Sequence, residues 1–236
     1  MIRVALAIGF FCACLLAAEE DSKQRLQVSH TERMELGPQR TVRVEKFSGS
    51  LTVEGWDEPS VEITTVKSTK DDYSASDRDE GNRKLDRVKI TAERRDDQIV
   101  VATVLPDHAS PPLPRYTGGV DLEYHLKVPR NIHLVVDQGA NSAFIDDVRG
   151  DIDAQINRGA LTLHLPQEGQ YDIDAKTNLG HVMSEFPGKM GRRTFPLGHD
   201  FVQPASSVPK LHLRVGYGDI TILKIVKPSY PGPLTH

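Results

Sequence analysis

Short strands of alternating apolar and polar residues, set off by turns rich in glycine, recur along this chain and constrain its fold more than any other feature. The alternation is clear in "TVRVE", "LTVE", "VEIT", "VKIT", "LEYHLKV" and "LHLRV". A period of two sends every other side chain into a core and leaves its neighbours wet. Helical periodicity is scarce, so the chain is expected to be all-β.

The strands also repeat as larger units. "SAFIDDVRGDIDAQI", "NRGALTLHLPQEGQYDIDA", "TNLGHVMSEFP" and "VGYGDITILKI" each join a small-residue or Gly-Asn turn to a short alternating strand. Gly159 and Gly180 are 21 residues apart, and Gly180 and Gly218 are 38 apart. Self-similarity at about 20 residues marks a solenoid, in which each coil stacks on the next. The expectation is a parallel β-solenoid of β-helix-like stacked coils with an N-terminal β segment, the alternative being a β-sandwich. Parallel pairing of Leu161, Val182 and Ile220 on neighbouring rungs would favour the solenoid.

Gly49, Gly55, Gly150, Gly159, Gly180 and Gly218 are expected as structural turns, because a sharp corner asks for positive φ or close backbone approach. Asp151 and Asp219, each directly after a glycine, are expected to accept N–H groups at the corner.

Residues 1–18, "MIRVALAIGFFCACLLAA", read as a signal peptide with one cationic residue, an apolar stretch and small residues at its end. The protein is therefore expected to be exported to the periplasm, the cell envelope or the extracellular space. Both cysteines, Cys12 and Cys14, fall within this leader, so the mature part has no disulfide or thiolate site. Cys14 is a candidate lipid anchor. Residues 19–39 are expected as an N-terminal linker, 40–105 as the N-terminal β segment and 106–119 as a Pro/Gly-rich loop. Solenoid repeats are expected over 120–226, with an insertion at 187–209, and a C-terminal tail over 227–236. Residues 69–87 also read as a surface loop.

The formal net charge of -4 is spread over interspersed acids and bases. Without a basic stripe, nucleic acid is not an expected partner. No integral membrane span is expected, since no later apolar run approaches about 20 residues.

The stretch "VEKFSGSLTVEGWDEPSVEITTVK" and, downstream, "YHLKVPRNIHLVVDQGANSAFIDDVRGDIDAQINRGALTLHLP" resemble the bacterial putative-adhesin family of exported envelope β-solenoids, a domain of unknown function. The resemblance rests on a glycine turn with Gly55, Trp56 and Asp57 and on a Val-Pro strand followed by Gly-Asp-Ile units. It implies an exported, non-catalytic solenoid. The chain departs from the pattern at 187–209 and at His181, which stands where Gly-Asp would place an aspartate.

Candidate sites are modest. His125, His133, His164 and His212 lie out of phase with the apolar positions and could form a metal-binding ladder on stacked strands. Asp151, Asp153, Asp172 and Asp174 form repeated Asp-Ile-Asp pairs that would suit calcium if they met on adjacent rungs. A wet strand face accepts all eight equally well, so no cofactor is expected. Arg149-Gly150-Asp151 is read as a coincidence of corner requirements, and Trp56 as a cap on the open end of the core more readily than as a sugar platform.

The reading is that the protein presents a surface to an envelope polysaccharide or a protein partner, with self-association a further option. The alternatives are a polysaccharide-processing enzyme using the outward Asp pairs and a purely structural scaffold. No serine-hydrolase elbow, phosphate loop or zinc-protease motif occurs.

Overall fold

In a computed structural model, residues 23–37, 40–104, 119–192 and 197–225 are described. The expected leader with Cys14, nearly all of the Pro/Gly-rich loop and the tail lie outside these residues. The described chain is nearly all β, arranged as two mixed sheets, neither closed into a barrel.

Strand pairs follow one plan. In each, the first strand joins the nine-stranded sheet and the second joins the eight-stranded sheet. The pairs are β2 (Thr41–Glu45) with β3 (Ser50–Trp56), β6 (Gln98–Val104) with β7 (Val120–Pro129), and β8 (His133–Ala140) with β9 (Ala143–Asp146). Then come β10 (Ile152–Arg158) with β11 (Leu161–Pro166), β12 (Asp172–Leu179) with β13 (Val182–Ser184), and β16 (Lys210–Tyr217) with β17 (Ile220–Ile225). Neighbouring pairs hydrogen-bond in parallel, and Ile220 lies between Leu161 and Val182.

The order of the pairs departs from the chain order. The sheets run β7-β3-β9-β11-β17-β13 and β6-β2-β8-β10-β16-β12 through their parallel regions. The last pair, β16 and β17, is thus wedged between two pairs that are consecutive in sequence. This alters the expected rungs: Gly218 sits between Gly159 and Gly180 rather than beyond them.

Inward residues of both sheets form one buried cluster that includes Val44, Val53, Leu126, Leu134, Ile145, Ala154, Leu163, Ile173, Leu213 and Ile222. Burial alternates along all of β11, along β7 up to Val128 and along β12 up to Asn178. This is the pattern that the period-two reading requires.

Glycines with positive φ stand between the two strands of a pair. Gly159 and Gly218 have φ of 129° and 136°, and a Cβ on Gly218 would lie 1.8 Å from the Gly159 carbonyl oxygen. Only a residue without a side chain fits there. Gly49 and Gly180 occupy the equivalent corners, as does Asn141 with φ 85°. Gly150 bends the chain before β10, where a Cβ would meet the Ile132 carbonyl oxygen at 2.0 Å. Gly55 is a correction: it lies buried inside β3, and what excludes a side chain is the Asp147 carbonyl oxygen.

Three other segments differ from expectation. Most of the expected linker is β1 (Gln24–Glu35), which pairs antiparallel with β4 (Ser60–Tyr73). β1 is an edge strand with Leu26 as its one buried residue, so it carries no apolar alternation. The expected loop at 69–87 holds the end of β4, a 3-10 turn at Ala75–Asp77 and α1 (Arg78–Arg87). Only Gly81 and Leu85 of α1 are buried, with Gly81 against Leu26 and Tyr73. The insertion contains β14 (Lys189–Arg192) and β15 (His199–Gln203), a hairpin that extends the nine-stranded sheet beside β12. At the opposite edge, β5 (Lys89–Arg95) pairs with β6.

Candidate functional site

On the outer face of the nine-stranded sheet, β10, β16 and β12 lie side by side and their outward residues form rows. The first row is Asp153, His212 and Asp174, and the second is Gln155, Arg214 and Lys176. Asn157, Gly216 and Asn178 follow on the same face. Arg158, Tyr217 and Leu179 close the strands beside one another.

Gly216 gives this face its relief. A strand centre that offers no side chain between two asparagines leaves a hollow, here a groove of about 300 Å³ lined by Gln155, Asn157, Lys176, Asn178, Arg214 and Tyr217. A Cβ on Gly216 would stand 2.5 Å from the Asn157 carbonyl oxygen, so close strand approach and the hollow share one cause. At the lip, Tyr217 is 59% exposed, with Leu179 at 48%. The Arg158 guanidinium lies 5.9 Å from the Tyr217 ring centroid.

Asp174 organises the second row. It accepts a bond from Arg214 Nη2, and Lys176 Nζ lies 3.2 Å from its Oδ1. Arg214 Nη1 also donates to the carbonyls of Asp174 and Leu213 at 2.7 and 2.9 Å. Burial pushes the Asp174 carboxyl up, but the bonds from Arg214 and Lys176 outweigh it and hold the group below the usual carboxylate range.

The other sequence candidates are dispersed. His125 and His164 belong to the eight-stranded sheet, His133 and His212 to the nine-stranded sheet. His125 lies 3.5 Å from Glu123, and His164 packs edge-on against Phe144 and lies 3.2 Å from Asp146. The Asp-Ile-Asp pairs of β10 and β12 do not meet, because β16 runs between them. Asp151 instead accepts the Lys210 N–H at 2.8 Å, and Asp219 accepts the His181 N–H at 2.7 Å. These are the corner bonds that their place after a glycine suggests. Asp172 stands opposite Lys210 in the β12–β16 register. Among the described residues, no group of three or more His, Cys, Asp or Glu is arranged to hold a metal ion.

Trp56 is part of the eight-stranded sheet rather than a cap at an open end. Its Nε1 donates to the Ser60 carbonyl at 2.9 Å, and Arg33 and Lys127 lie 4.9 and 5.7 Å from its ring. Its ring is already engaged by two cations.

The groove residues escaped the sequence reading, although a signal was present. "QINRG", "KTNLG" and "RVGYG" align on their final glycine, and the columns before it are the groove rows.

No protein-family model and no curated protein is similar to this chain in sequence. Among solved structures, a putative lipid binding protein from Parabacteroides distasonis ATCC 8503 is similar with a TM-score of 0.25 at 7% identity, over 66% of this chain and 70% of that one. A putative adhesin from Bacteroides fragilis NCTC 9343 gives 0.28 at 8%, over 87% and 99%. A putative cell adhesion protein from Clostridium sporogenes ATCC 15579 gives a TM-score of 0.48 at 14% identity, over 85% of this chain and 100% of that chain.

Proposed function

We propose that this protein is an exported, non-catalytic, adhesin-like β-solenoid that presents the outer face of its nine-stranded sheet to an envelope polysaccharide. The solenoid reading is supported by the strand pairs that each contribute one rung to either sheet and stack in parallel. Export rests on the leader at 1–18. Among the described residues, no helix is long and apolar enough to cross a membrane.

The observation that carries the binding role is the groove over Gly216, with amides in its floor and an exposed tyrosine at its lip. Sugars offer hydroxyl edges to amides and an apolar ring face to an aromatic side chain. Asp174, which ion-pairs with two groove residues, does not favour catalysis there. A glycosidase needs one carboxyl that keeps its proton, whereas Arg214 and Lys176 hold Asp174 ionised.

Affinity electrophoresis of the protein, expressed from the full chain and recovered from the envelope fraction, against cell-wall polysaccharides and peptidoglycan fragments tests this. Retention by at least one polymer, reduced about tenfold by Tyr217→Ala, is expected. Equal retention of the variant, or release of reducing sugar by the wild type, would count against the reading.

A further inference from the structure

We propose that the groove takes an acidic sugar: a uronate-type residue whose carboxylate meets Lys176 and Arg214 while its ring lies against Tyr217. This assignment rests on the polysaccharide reading above and names the substrate class for the same site.

Charge is the first argument. The groove is lined by two cations and no acid, and the Arg158 guanidinium lies 5.9 Å from the ring centroid of its Tyr217. The chain as a whole is acidic, at -4, so this local excess runs against its composition. Asp174 draws Lys176 and Arg214 to a single carboxylate. Among the described residues Lys176 and Arg214 have only this carboxylate as a shared ion-pair partner, and a monoanion in the groove would supply a second. A doubly charged phosphate would overcompensate beside Asp174, which favours a carboxylate.

Preorganisation is the second. Arg214 is fixed by two backbone carbonyls as well as by Asp174, so ordering its long side chain costs little on binding. Lys176 is held, among the described residues, by the Asp174 carboxylate and no backbone carbonyl, and can turn toward a ligand. Charge-assisted bonds of this kind are about twice as strong as neutral ones.

The third is the match between a sugar and the rows. Asn157 and Asn178 flank the hollow over Gly216, where ring hydroxyls would find both donors and acceptors. Tyr217, which lines the groove and is exposed, supplies an aromatic face one residue further along. A carboxylate on an extended peptide would use the cations but leave these amides and the aromatic face idle.

The test is calorimetric titration of the full-chain protein with tetramers of galacturonate and mannuronate, the galacturonate tetramer as its methyl ester, maltotetraose, and tetraglutamate. Binding to a uronate tetramer at least about tenfold tighter than to the ester and to tetraglutamate is expected, with Lys176→Gln abolishing that preference. Lys176 is one-third exposed in its side chain, so this variant keeps the fold even where Arg214→Gln does not. Salt should weaken uronate binding but not residual binding to the ester. Equal affinity for acid and ester, or for tetraglutamate, overturns the acidic-sugar assignment. No binding to either uronate also overturns it, while retention on a neutral polymer would leave the broader polysaccharide reading standing.

Discussion

Gly218 rests against the carbonyl oxygen of Gly159, although Gly180 comes between them in the chain. The contact records how the last strand pair enters the stack. A methyl group on Gly218 would meet both a φ of 136° and a backbone oxygen at 1.8 Å. Gly218→Ala should therefore lower stability by about 3 kcal/mol or more, read from urea unfolding. Alanine at Gly119, whose Cβ would meet nothing within 4 Å, is the contrasting case, with only the cost of its φ of 86°.

The strand order itself can be trapped chemically. Beyond Cys12 and Cys14 the chain has no cysteine, so introduced pairs report without interference. Asp153 and His212 are direct neighbours on β10 and β16, at the roughly 4.8 Å spacing of adjacent strands, within reach of a disulfide. Oxidation should link Asp153→Cys with His212→Cys. Asp153→Cys with Asp174→Cys, two strands apart, should stay reduced; the reverse result would restore the sequential stacking order.

Acid should probe the Arg130, Asp147 and Arg149 cluster. Burial pushes the Asp147 carboxyl up, but bonds from Arg149 Nε at 2.8 Å and Arg130 Nε at 2.6 Å prevail and hold it below the usual range. Its stabilising contribution is complete above the unfolded value near 4 and is lost as pH falls through the lower folded value, because the unfolded chain takes up the proton first. Asp147→Asn suits the local φ of 50° and should cost about 1–2 kcal/mol at neutral pH. The difference in unfolding midpoint between variant and wild type should shrink steadily below pH ~4.

Alkali should act through tyrosine. Burial pushes Tyr124 and Tyr171 up to about 12, and the Tyr124 hydroxyl shares a 2.5 Å hydrogen bond with Thr103. An unfolded tyrosine loses its proton near 10. Stability is therefore intact below that value and falls as pH rises from about 10 toward 12. Absorbance of phenolate should show Tyr124 and Tyr171 titrating late and together with the loss of native circular dichroism. Titration of these two near 10 in the folded protein would show that their rings are not buried.

The fold was legible where one face of a strand is dry. "LEYHLKV", "LTLHL" and "LHLRV" announce β7, β11 and β16 because burial alternates along them without a break. β1 was silent, since an edge strand held by backbone bonds to β4 needs almost no apolar residues. α1 offered a different sign, acids at Asp79 and Glu80 in its first turn and bases at Lys84 and Arg87 in its last, which favour a helix dipole. With one buried large side chain, Leu85, it had no apolar stripe to display. The groove remained hidden because its rows come from β10, β16 and β12, and nothing local to β16 says that it intervenes between the other two.

That wedge makes the groove a record of completion. Its middle strand, with Arg214, Gly216 and Tyr217, follows both of its flanks in the chain and is therefore synthesised after them. A polypeptide cut short before Lys210 keeps Gln155, Asn157, Lys176 and Asn178 but has no strand to hold them in register. The groove is thus assembled only once the strand that follows both of its flanks has entered between them.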